Sequence, residues 1–232
     1  MTRRKVIIPQ DYNDYLYRLT YYLISYIIPF VPKSISPNQI TCMAFLSAMI
    51  GNILLLTMHT RDAYLYWAIF NFLWFILDAM DGMHARYSNQ TSEYGAFLDH
   101  SLDVIYFLFM LTAFTIKFDL SSFLYIYIII LRNTIATLVF ITQCHTKRLY
   151  LPRFSGGMEF MLFTTAMLFS YAYPHLNFAT MTANPMLLKW ITLLDLQQGV
   201  FMKLALIPYF FAVPVTIVQQ FVFTKKVLSG RA

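Results

Sequence analysis

Four aspartates at helical spacing are the strongest candidates for metal binding or catalysis in this sequence. Asp78 and Asp81 are three positions apart, and Asp99 and Asp103 are four positions apart. Within helices these spacings place both members of each pair on one face, and segment 87–93 predicts a turn that brings the two faces together. Like-charged carboxylates take up protons unless cations neutralise them. Hard oxygen ligands at this density favour Mg²⁺ or Mn²⁺, and four acids suggest two ions, which suits in-line displacement at phosphate.

The elements that position these acids belong to a membrane protein. Of the 232 residues, 59% are hydrophobic and 12% are charged, whereas soluble domains are about 45–50% apolar and about 25% charged. A helix needs roughly 20 mostly apolar residues to cross a bilayer. The sequence predicts six transmembrane helices, at about 38–58, 63–86, 94–116, 119–142, 157–175 and 203–225. The four aspartates then lie inside the second and third spans, where charge is costly and usually functional.

Two further segments are predicted to lie at the membrane surface. Residues 11–30 are rich in tyrosine, polar at first and apolar later, which is typical of an amphipathic interfacial helix. Arg18 and the acidic start of this segment argue against a seventh span. The long connection 176–202 is expected to fold back as a short interfacial helix. We therefore interpret residues 1–232 as one all-α integral membrane domain, with the six-helix bundle at 38–225.

Lysine and arginine are unevenly distributed between the two sides of the predicted bundle. Most lie on the side that holds both termini, and the other side holds Arg61, Lys117, Lys189 and Lys203. The positive-inside rule therefore predicts that both termini and the acidic cluster are cytosolic. A bacterial inner membrane and a eukaryotic endomembrane both agree with this orientation. The formal net charge of +6 indicates contact with anionic lipid headgroups and no nucleic-acid partner.

The residues around the four acids form a longer pattern. The sequence DAMDGMHAR, at 78–86, is followed after eight residues by GAFLDHSLD, at 95–103. This resembles the signature of the CDP-alcohol phosphotransferases, D-x2-D-G-x2-A-R-x8-G-x3-D-x3-D, and every fixed position matches. The six-span layout, the interfacial helix and the sequence SPN at 36–38 are also similar to that family.

The resemblance implies a role for each acid. Asp78, Asp81 and Asp99 would bind two divalent cations, Mg²⁺ or Mn²⁺. Asp103 would contact one of these ions and also serve as the catalytic base.

The resemblance also implies a nucleotide-binding surface. Gly82, Ala85 and Gly95 would let the cytidine nucleotide lie against the helices, although small residues also permit tight helix packing in membranes. Arg86 would lie near the nucleotide phosphates. Asn38 would either cap the first span by binding its backbone amides or reach into the nucleotide pocket.

Signals outside the motif are weaker. Arg132 lies in the middle of an apolar span, where it would either meet the donor diphosphate or form a structural pair with an acid or a backbone carbonyl. His100, Arg148 and Glu159 are candidates for acceptor binding or for the rim of the site. Arg148 could equally serve the positive-inside rule.

The implied reaction belongs to phospholipid biosynthesis. An acceptor hydroxyl would attack the phosphorus of a CDP-alcohol distal to cytidine, and CMP would leave; the family also implies a homodimer. The Asp99–His100 pair and the sequence GGME at 156–159 resemble the choline and ethanolamine phosphotransferases, which use diacylglycerol. A six-span chain is instead typical of enzymes that use CDP-diacylglycerol and a polar alcohol.

Two other classes of function compete with this enzyme. A non-catalytic member of the family would act as a membrane scaffold, and the intact set of four acids argues against it. A divalent-cation transporter would use the acidic cluster for ions. Such a transporter needs polar residues in both halves of the membrane, whereas these acids lie toward the cytosolic side only.

Overall fold

The computed structural model describes residues 13–120, 122–146, 150–152 and 154–230, and this part of the chain is a bundle of α-helices. A short helix, α1 (Tyr15–Ile27), precedes four long helices: α2 (Pro37–Thr57), α3 (Asp62–Ser88), α4 (Glu93–Phe118) and α5 (Phe123–Thr146). Three helices follow: α6 (Gly156–Ala172), α7 (Pro185–Leu193) and α8 (Val200–Leu228). Single 3₁₀ turns occur at Ile28–Phe30 and Phe178–Thr180. The predicted all-α fold is therefore confirmed.

Five helices in the described part of the chain are long and apolar enough to cross a bilayer: α2, α3, α4, α5 and α8. The predicted fifth span, 157–175, corresponds to α6, which has 17 residues. At 1.5 Å per residue α6 is about 26 Å long, less than the roughly 30 Å of hydrocarbon in a bilayer. Pro174 follows closely and disfavours helical geometry at Tyr173. The structure supports a multi-pass membrane protein with five candidate spans, and the sixth stays a prediction.

The predicted hairpin between α3 and α4 is present and has clear end signals. Asn89 adopts a left-handed backbone conformation, with φ of 58°, and ends α3. The Ser92 side chain accepts a hydrogen bond from the Gly95 amide at 2.9 Å and begins α4. The turn is therefore only four residues long, and it sets the last turns of α3 against the first turns of α4.

Aromatic side chains fill the centre of the bundle. Trp67, Tyr106, Phe114, Phe163 and Tyr209 are among the largest fully buried residues. The helices pack with α3 between α2 and α6, and with α8 against α5 and α6. The outer surface is also apolar, which is expected where lipid replaces water as the solvent.

Helix α1 lies across one end of the bundle and packs against α3 and α6. Its inner face buries Tyr17, Tyr21 and Ile24. Its outer face exposes apolar side chains such as Leu19 and Leu23. A helix in the predicted N-terminal segment is thus present, and its location in the membrane interface stays a prediction. In the long connection, α7 supplies the expected short helix.

Candidate active site

A cavity of about 560 Å³ opens at the end of the bundle where α2 begins, α3 ends, and α4 and α6 begin. It is lined by every sequence-predicted site residue that the structure describes: Asn38, Asp78, Asp81, Gly82, Ala85, Arg86, Gly95, Asp99, His100, Asp103, Arg132 and Glu159. Arg148 lies outside the described residues. Residues from five different helices, α2 to α6, therefore meet at the motif.

Three of the four motif aspartates form a cluster. Asp78, Asp99 and Asp103 each offer a carboxylate oxygen, and these oxygens all lie within 4.8 Å of one another. All three residues are partly buried, so their mutual repulsion is weakly screened. Three hard oxygen donors in this arrangement suit a divalent cation such as Mg²⁺ or Mn²⁺.

Asp81 lines the same cavity but is not one of the three clustered acids. Its Oδ2 accepts a hydrogen bond from Thr41 Oγ1 at 2.5 Å, and the residue is only 5% exposed. Thr41 belongs to α2, so this contact joins the motif helix α3 to its neighbour. Its role as a ligand of a second ion stays a prediction. Thr41 itself carries no motif signal and was not found from the sequence.

Tyr17 of α1 contacts the acidic cluster directly. Its Oη donates to Asp78 Oδ2 at 3.0 Å, and its ring packs on Phe75 with a centroid distance of 5.1 Å. Burial and the neighbouring Asp78 carboxylate raise the pKa of Tyr17 well above its usual value. The phenol therefore keeps its proton at neutral pH and acts as a donor. The tyrosine-rich composition of the segment gave no indication of which tyrosine would turn inward.

Asp14 is a second residue that sequence reasoning missed. This fully buried carboxylate caps α1 by accepting from the amides of Leu16 and Tyr17 at 2.9 and 3.1 Å. Its other oxygen accepts from Ser155 Oγ at 2.7 Å and from the amides of Gly157 and Met158 at 3.1 and 3.3 Å, at the start of α6. One side chain thus satisfies donors at two helix N-termini, where unpaired amides favour an anion.

Arg132 and Glu159 form a buried ion pair on the cavity wall. The Nη2 and Nε atoms of Arg132 donate to Glu159 Oε2 at 2.6 and 3.2 Å, and the residues are 5% and 4% exposed. The guanidinium also lies 3.7 Å from the centroid of the Phe107 ring. Of the two interpretations of Arg132, the structural pair with an acid is the contact observed. The sequence held a signal for this pair, because Glu159 is the sole acid between Asp119 and Asp195.

Arg86 is the cation best placed for a phosphate ligand. Its Nη2 is buried and has no hydrogen-bond partner among the described residues. Its guanidinium lies 5.7 Å from the Tyr21 ring centroid. A Cβ atom on Gly82 would lie 3.4 Å from Arg86 Nη1. The absence of a side chain at Gly82 therefore leaves space that the guanidinium borders.

The other predicted nucleotide residues lie where α2 meets α4. A Cβ atom on Gly95 would lie 3.1 Å from Asn38 Oδ1, so Gly95 permits close packing here. The alternative in which Asn38 caps α2 is wrong. Ser36 is the N-cap, and it exchanges hydrogen bonds with Gln39 in a capping box. The Asn38 side chain therefore does not cap α2, and it borders the cavity.

His100 lies beside the acids. Its Nδ1 is 3.5 Å from Asp99 Oδ2, and its ring meets the edge of Phe140 with a centroid distance of 6.1 Å. Its Nε2 is buried without a hydrogen-bond partner in the described part of the chain. An imidazole nitrogen facing a cavity in this state can accept or donate a proton when a ligand arrives.

Comparison with known proteins agrees with the motif. The family model for CDP-alcohol phosphatidyltransferase matches residues 34–223. An uncharacterised CDP-alcohol phosphatidyltransferase class-I family protein of Schizosaccharomyces pombe is 34% identical over 155 residues, which cover 62% of this chain and 39% of that relative. The chain thus spans well under half the length of this curated relative. With the family match extending over most of the bundle and including all four motif aspartates, the chain belongs to the CDP-alcohol phosphatidyltransferase family.

Proposed function

We propose that the protein is a metal-dependent CDP-alcohol phosphotransferase of phospholipid biosynthesis. It transfers a substituted phosphate group from a CDP-alcohol to an acceptor hydroxyl and releases CMP. The observation that carries the proposal is the three-carboxylate cluster of Asp78, Asp99 and Asp103, which shares one cavity with Arg86, whose Nη2 has no hydrogen-bond partner among the described residues. Hard oxygen ligands for a divalent cation, beside an arginine for phosphate, are what a nucleoside diphosphate requires.

The chain's own residues divide the binding of the donor between them. Asp78, Asp99 and Asp103 hold a divalent cation, and Asp81 joins them for a second. Such ions, when bound, neutralise phosphate oxygens and polarise the reacting phosphorus. Arg86 donates from Nη2 to an oxygen of the diphosphate, a charge-assisted hydrogen bond of the stronger kind.

One residue must take the proton of the acceptor hydroxyl as the oxygen–phosphorus bond forms. Asp103 serves as this base and lies one helical turn beyond Asp99 on α4. The alcohol proton moves to its carboxylate, and the bond between the phosphorus and the CMP oxygen breaks. His100 is the next candidate, because its Nε2 is available in the same cavity.

The charged residues that line the cavity limit which acceptor alcohols can bind. The cavity's described lining contains two cations, Arg86 and Arg132, and Glu159 neutralises the second. An acceptor that carries its own phosphate would need a further cation beyond these two. We propose either diacylglycerol with CDP-choline or CDP-ethanolamine, or a polar alcohol with CDP-diacylglycerol, as the pair of substrates. We also propose a homodimer, on the family resemblance alone.

The test is CMP release by the purified full chain in lipid-containing detergent micelles. The two substrate sets are CDP-choline or CDP-ethanolamine with diacylglycerol, and CDP-diacylglycerol with serine, inositol or glycerol phosphate. Asp119→Asn is a matched control for motif variants, because Asp119 is an exposed aspartate at the end of α4, outside the cavity. Metal-dependent CMP release with one set supports the proposal. Absence of CMP release with all sets, while CDP-alcohol still binds, would indicate the non-catalytic scaffold instead.

The divalent-cation transporter finds little support in the packing. The cavity lies at one end of the bundle, and the centre beyond it is filled by Trp67, Phe114 and Phe163, which are almost fully buried. The described residues therefore offer no polar path across the membrane. Uptake of Mn²⁺ into sealed proteoliposomes would contradict this conclusion.

A further inference from the structure

We propose that Tyr17 of α1 is a positioning residue of the metal site, where it orients the Asp78 carboxylate toward Asp99 and Asp103. The Tyr17 hydroxyl donates to Asp78 Oδ2 at 3.0 Å, across 61 positions of sequence. The family match begins at residue 34, so α1 lies outside the matched region. The inference rests on the metal-binding part of the proposed function.

The Tyr17 ring occupies a closely packed site. Its centroid lies 5.1 Å from that of Phe75 and 6.4 Å from that of Tyr21. A Cβ atom on Gly156 would lie 3.2 Å from Tyr17 Cε2 and 3.3 Å from its hydroxyl oxygen. Glycine at the first position of α6 therefore leaves space for this ring. In this position the hydroxyl points toward the three-carboxylate cluster.

The backbone of Tyr17 is held independently of its ring. Asp14 binds the Tyr17 amide with Oδ1 and the Gly157 amide with Oδ2. A Cβ atom on Gly157 would lie 2.5 Å from Asp14 Oδ1, so this contact also depends on glycine. The adjacent pair Gly156 and Gly157 thus accommodates the two side chains that fasten α1 to the bundle.

The Tyr17 hydroxyl restrains the Asp78 carboxylate in a way that the ring alone does not. A carboxylate can rotate about its bond to Cβ, and a metal ligand must hold one orientation. A hydrogen bond to one oxygen limits that rotation and leaves the other oxygen for a cation. Partners of this kind are commonly needed for metal affinity, and their removal typically costs about 10–100-fold. Ring packing would be the same for phenylalanine.

The test uses Tyr17→Phe in the purified full chain, with Mn²⁺ as the probe. Mn²⁺ binding is measured by titration calorimetry and by the electron paramagnetic resonance signal of free Mn²⁺. We expect the variant to bind Mn²⁺ about tenfold more weakly or worse, with an unchanged melting temperature in metal-free buffer. Tyr15→Phe is the matched control, because Tyr15 is 66% exposed on the same helix, and it should bind Mn²⁺ like the wild type.

Turnover supplies a second readout that a packing role would not produce. Tyr17→Phe should need more Mn²⁺ for half-maximal CMP release and should recover most of its kcat at saturating Mn²⁺. Gly156→Ala retains the hydroxyl but displaces the ring, so it should also weaken Mn²⁺ binding. This second variant keeps the inference testable if Tyr17→Phe does not fold.

Three outcomes separate the inference from the proposed function. Wild-type Mn²⁺ affinity in Tyr17→Phe would overturn the positioning role and leave Tyr17 as a packing residue. A wild-type protein that binds Mn²⁺ but releases no CMP would overturn the proposed function, while the binding comparison would still decide the role of Tyr17. A wild-type protein that binds no Mn²⁺ would overturn both.

Discussion

At the scale of single residues, Asp103 is the position where binding and chemistry can be separated. Asp103→Asn keeps the size of the side chain and one carbonyl oxygen but removes the basicity. We expect turnover to fall by at least roughly 10²-fold, the usual lower range for general acid–base catalysis, with a smaller loss of Mn²⁺ and CDP-alcohol binding than in Asp78→Asn. Asp78→Asn should instead weaken the binding of both. Paired titration and CMP release on these variants and on Asp119→Asn measure the difference.

The opposite pattern would change the assignment. If Asp103→Asn turns over normally, the base lies elsewhere, and His100 becomes the candidate. If it loses Mn²⁺ binding as severely as Asp78→Asn, then Asp103 is chiefly a ligand, in agreement with its place in the three-carboxylate cluster.

The Arg132–Glu159 pair permits a second prediction at this scale. Removing one partner of a buried pair leaves an uncompensated charge and typically costs about 3–5 kcal/mol. Glu159→Gln and Arg132→Met should therefore each lower the melting temperature in detergent. The double variant Arg132→Met with Glu159→Met should recover most of that loss, because a well-packed apolar pair is often as stable.

The double variant also decides between the two interpretations of Arg132. A stable double variant with normal affinity for the CDP-alcohol would make the pair purely structural. A stable double variant with weakened CDP-alcohol binding would show that Arg132 also meets the donor. If the double variant is no more stable than the single variants, then an unpaired buried charge is not the cause of their instability.

The motif residues were predictable, and their partners were not, for one physical reason. The spacing of Asp78, Asp81, Asp99 and Asp103 within two helices fixes which faces they share, so their convergence followed from helical geometry. Tyr17 reaches Asp78 from a separate helix, and which of many tyrosines turns inward depends on packing. Thr41 and Asp14 likewise act between elements, where sequence periodicity carries no information about register.

At the scale of elements, the docking of α1 depends on the two glycines that open α6. A methyl group on Gly157 would lie 2.5 Å from Asp14 Oδ1, within a helix backbone that cannot shift locally. We expect Gly157→Ala to displace Asp14, release α1 and lower CMP release. Gly156→Ala, at 3.2 Å from the Tyr17 ring, should have a milder effect. Hydrogen exchange of residues 15–27, compared with residues 200–228, measures the release.

A different result would locate the effect elsewhere. If Gly157→Ala leaves hydrogen exchange in α1 unchanged, then Asp14 is not what holds the helix. If both alanine variants raise exchange throughout α8 as well, the substitutions disturb the bundle and not the docking of α1.

The predicted span at 157–175 shows that hydropathy does not determine where a helix ends. The uncharged stretch 160–188 is long enough for a span, but Pro174 and Pro185 divide it. In the structure it becomes most of α6, a 3₁₀ turn at Phe178–Thr180 and the start of α7. Uniform apolarity indicates lipid contact but does not specify the length of a helix, which proline and the loop residues determine.

At the scale of the whole molecule, the balance of charge in the cavity predicts an absolute need for a divalent cation. Three clustered carboxylates face a described lining in which Arg86 has an unpartnered guanidinium nitrogen and Arg132 is already paired. Excess chelator should therefore abolish CMP release, and Mg²⁺ or Mn²⁺ should restore it. Ca²⁺, which accepts more ligands at longer distances, is the comparison. Full turnover in excess chelator would refute the metal-dependent proposal.

The last prediction concerns the orientation of the bundle in the membrane. The cavity lies at the end of the bundle where α2 begins. At the other end, Lys117 donates to the Met58 carbonyl at 2.7 Å and Lys203 donates to the Asp195 carbonyl at 3.0 Å. The sequence assigns most lysine and arginine residues to the side of the cavity end, which predicts that the cavity end faces the cytosol. A cysteine at the exposed position Ser34 marks the cavity end, and one at the exposed position Ala183 marks the other.

Labelling with a membrane-impermeant maleimide tests this orientation. The free cysteines Cys42 and Cys144, both exposed on the bundle, are first replaced by serine. In sealed vesicles whose cytosolic face points inward, Ala183→Cys should react at once, and Ser34→Cys should react only after the membrane is permeabilised. A cytosolic cavity is required if water-soluble CDP-alcohols or polar acceptors enter from the cytosol, because they do not cross the bilayer. Immediate labelling of Ser34→Cys with protection of Ala183→Cys would invert the orientation and place the cavity on the opposite side.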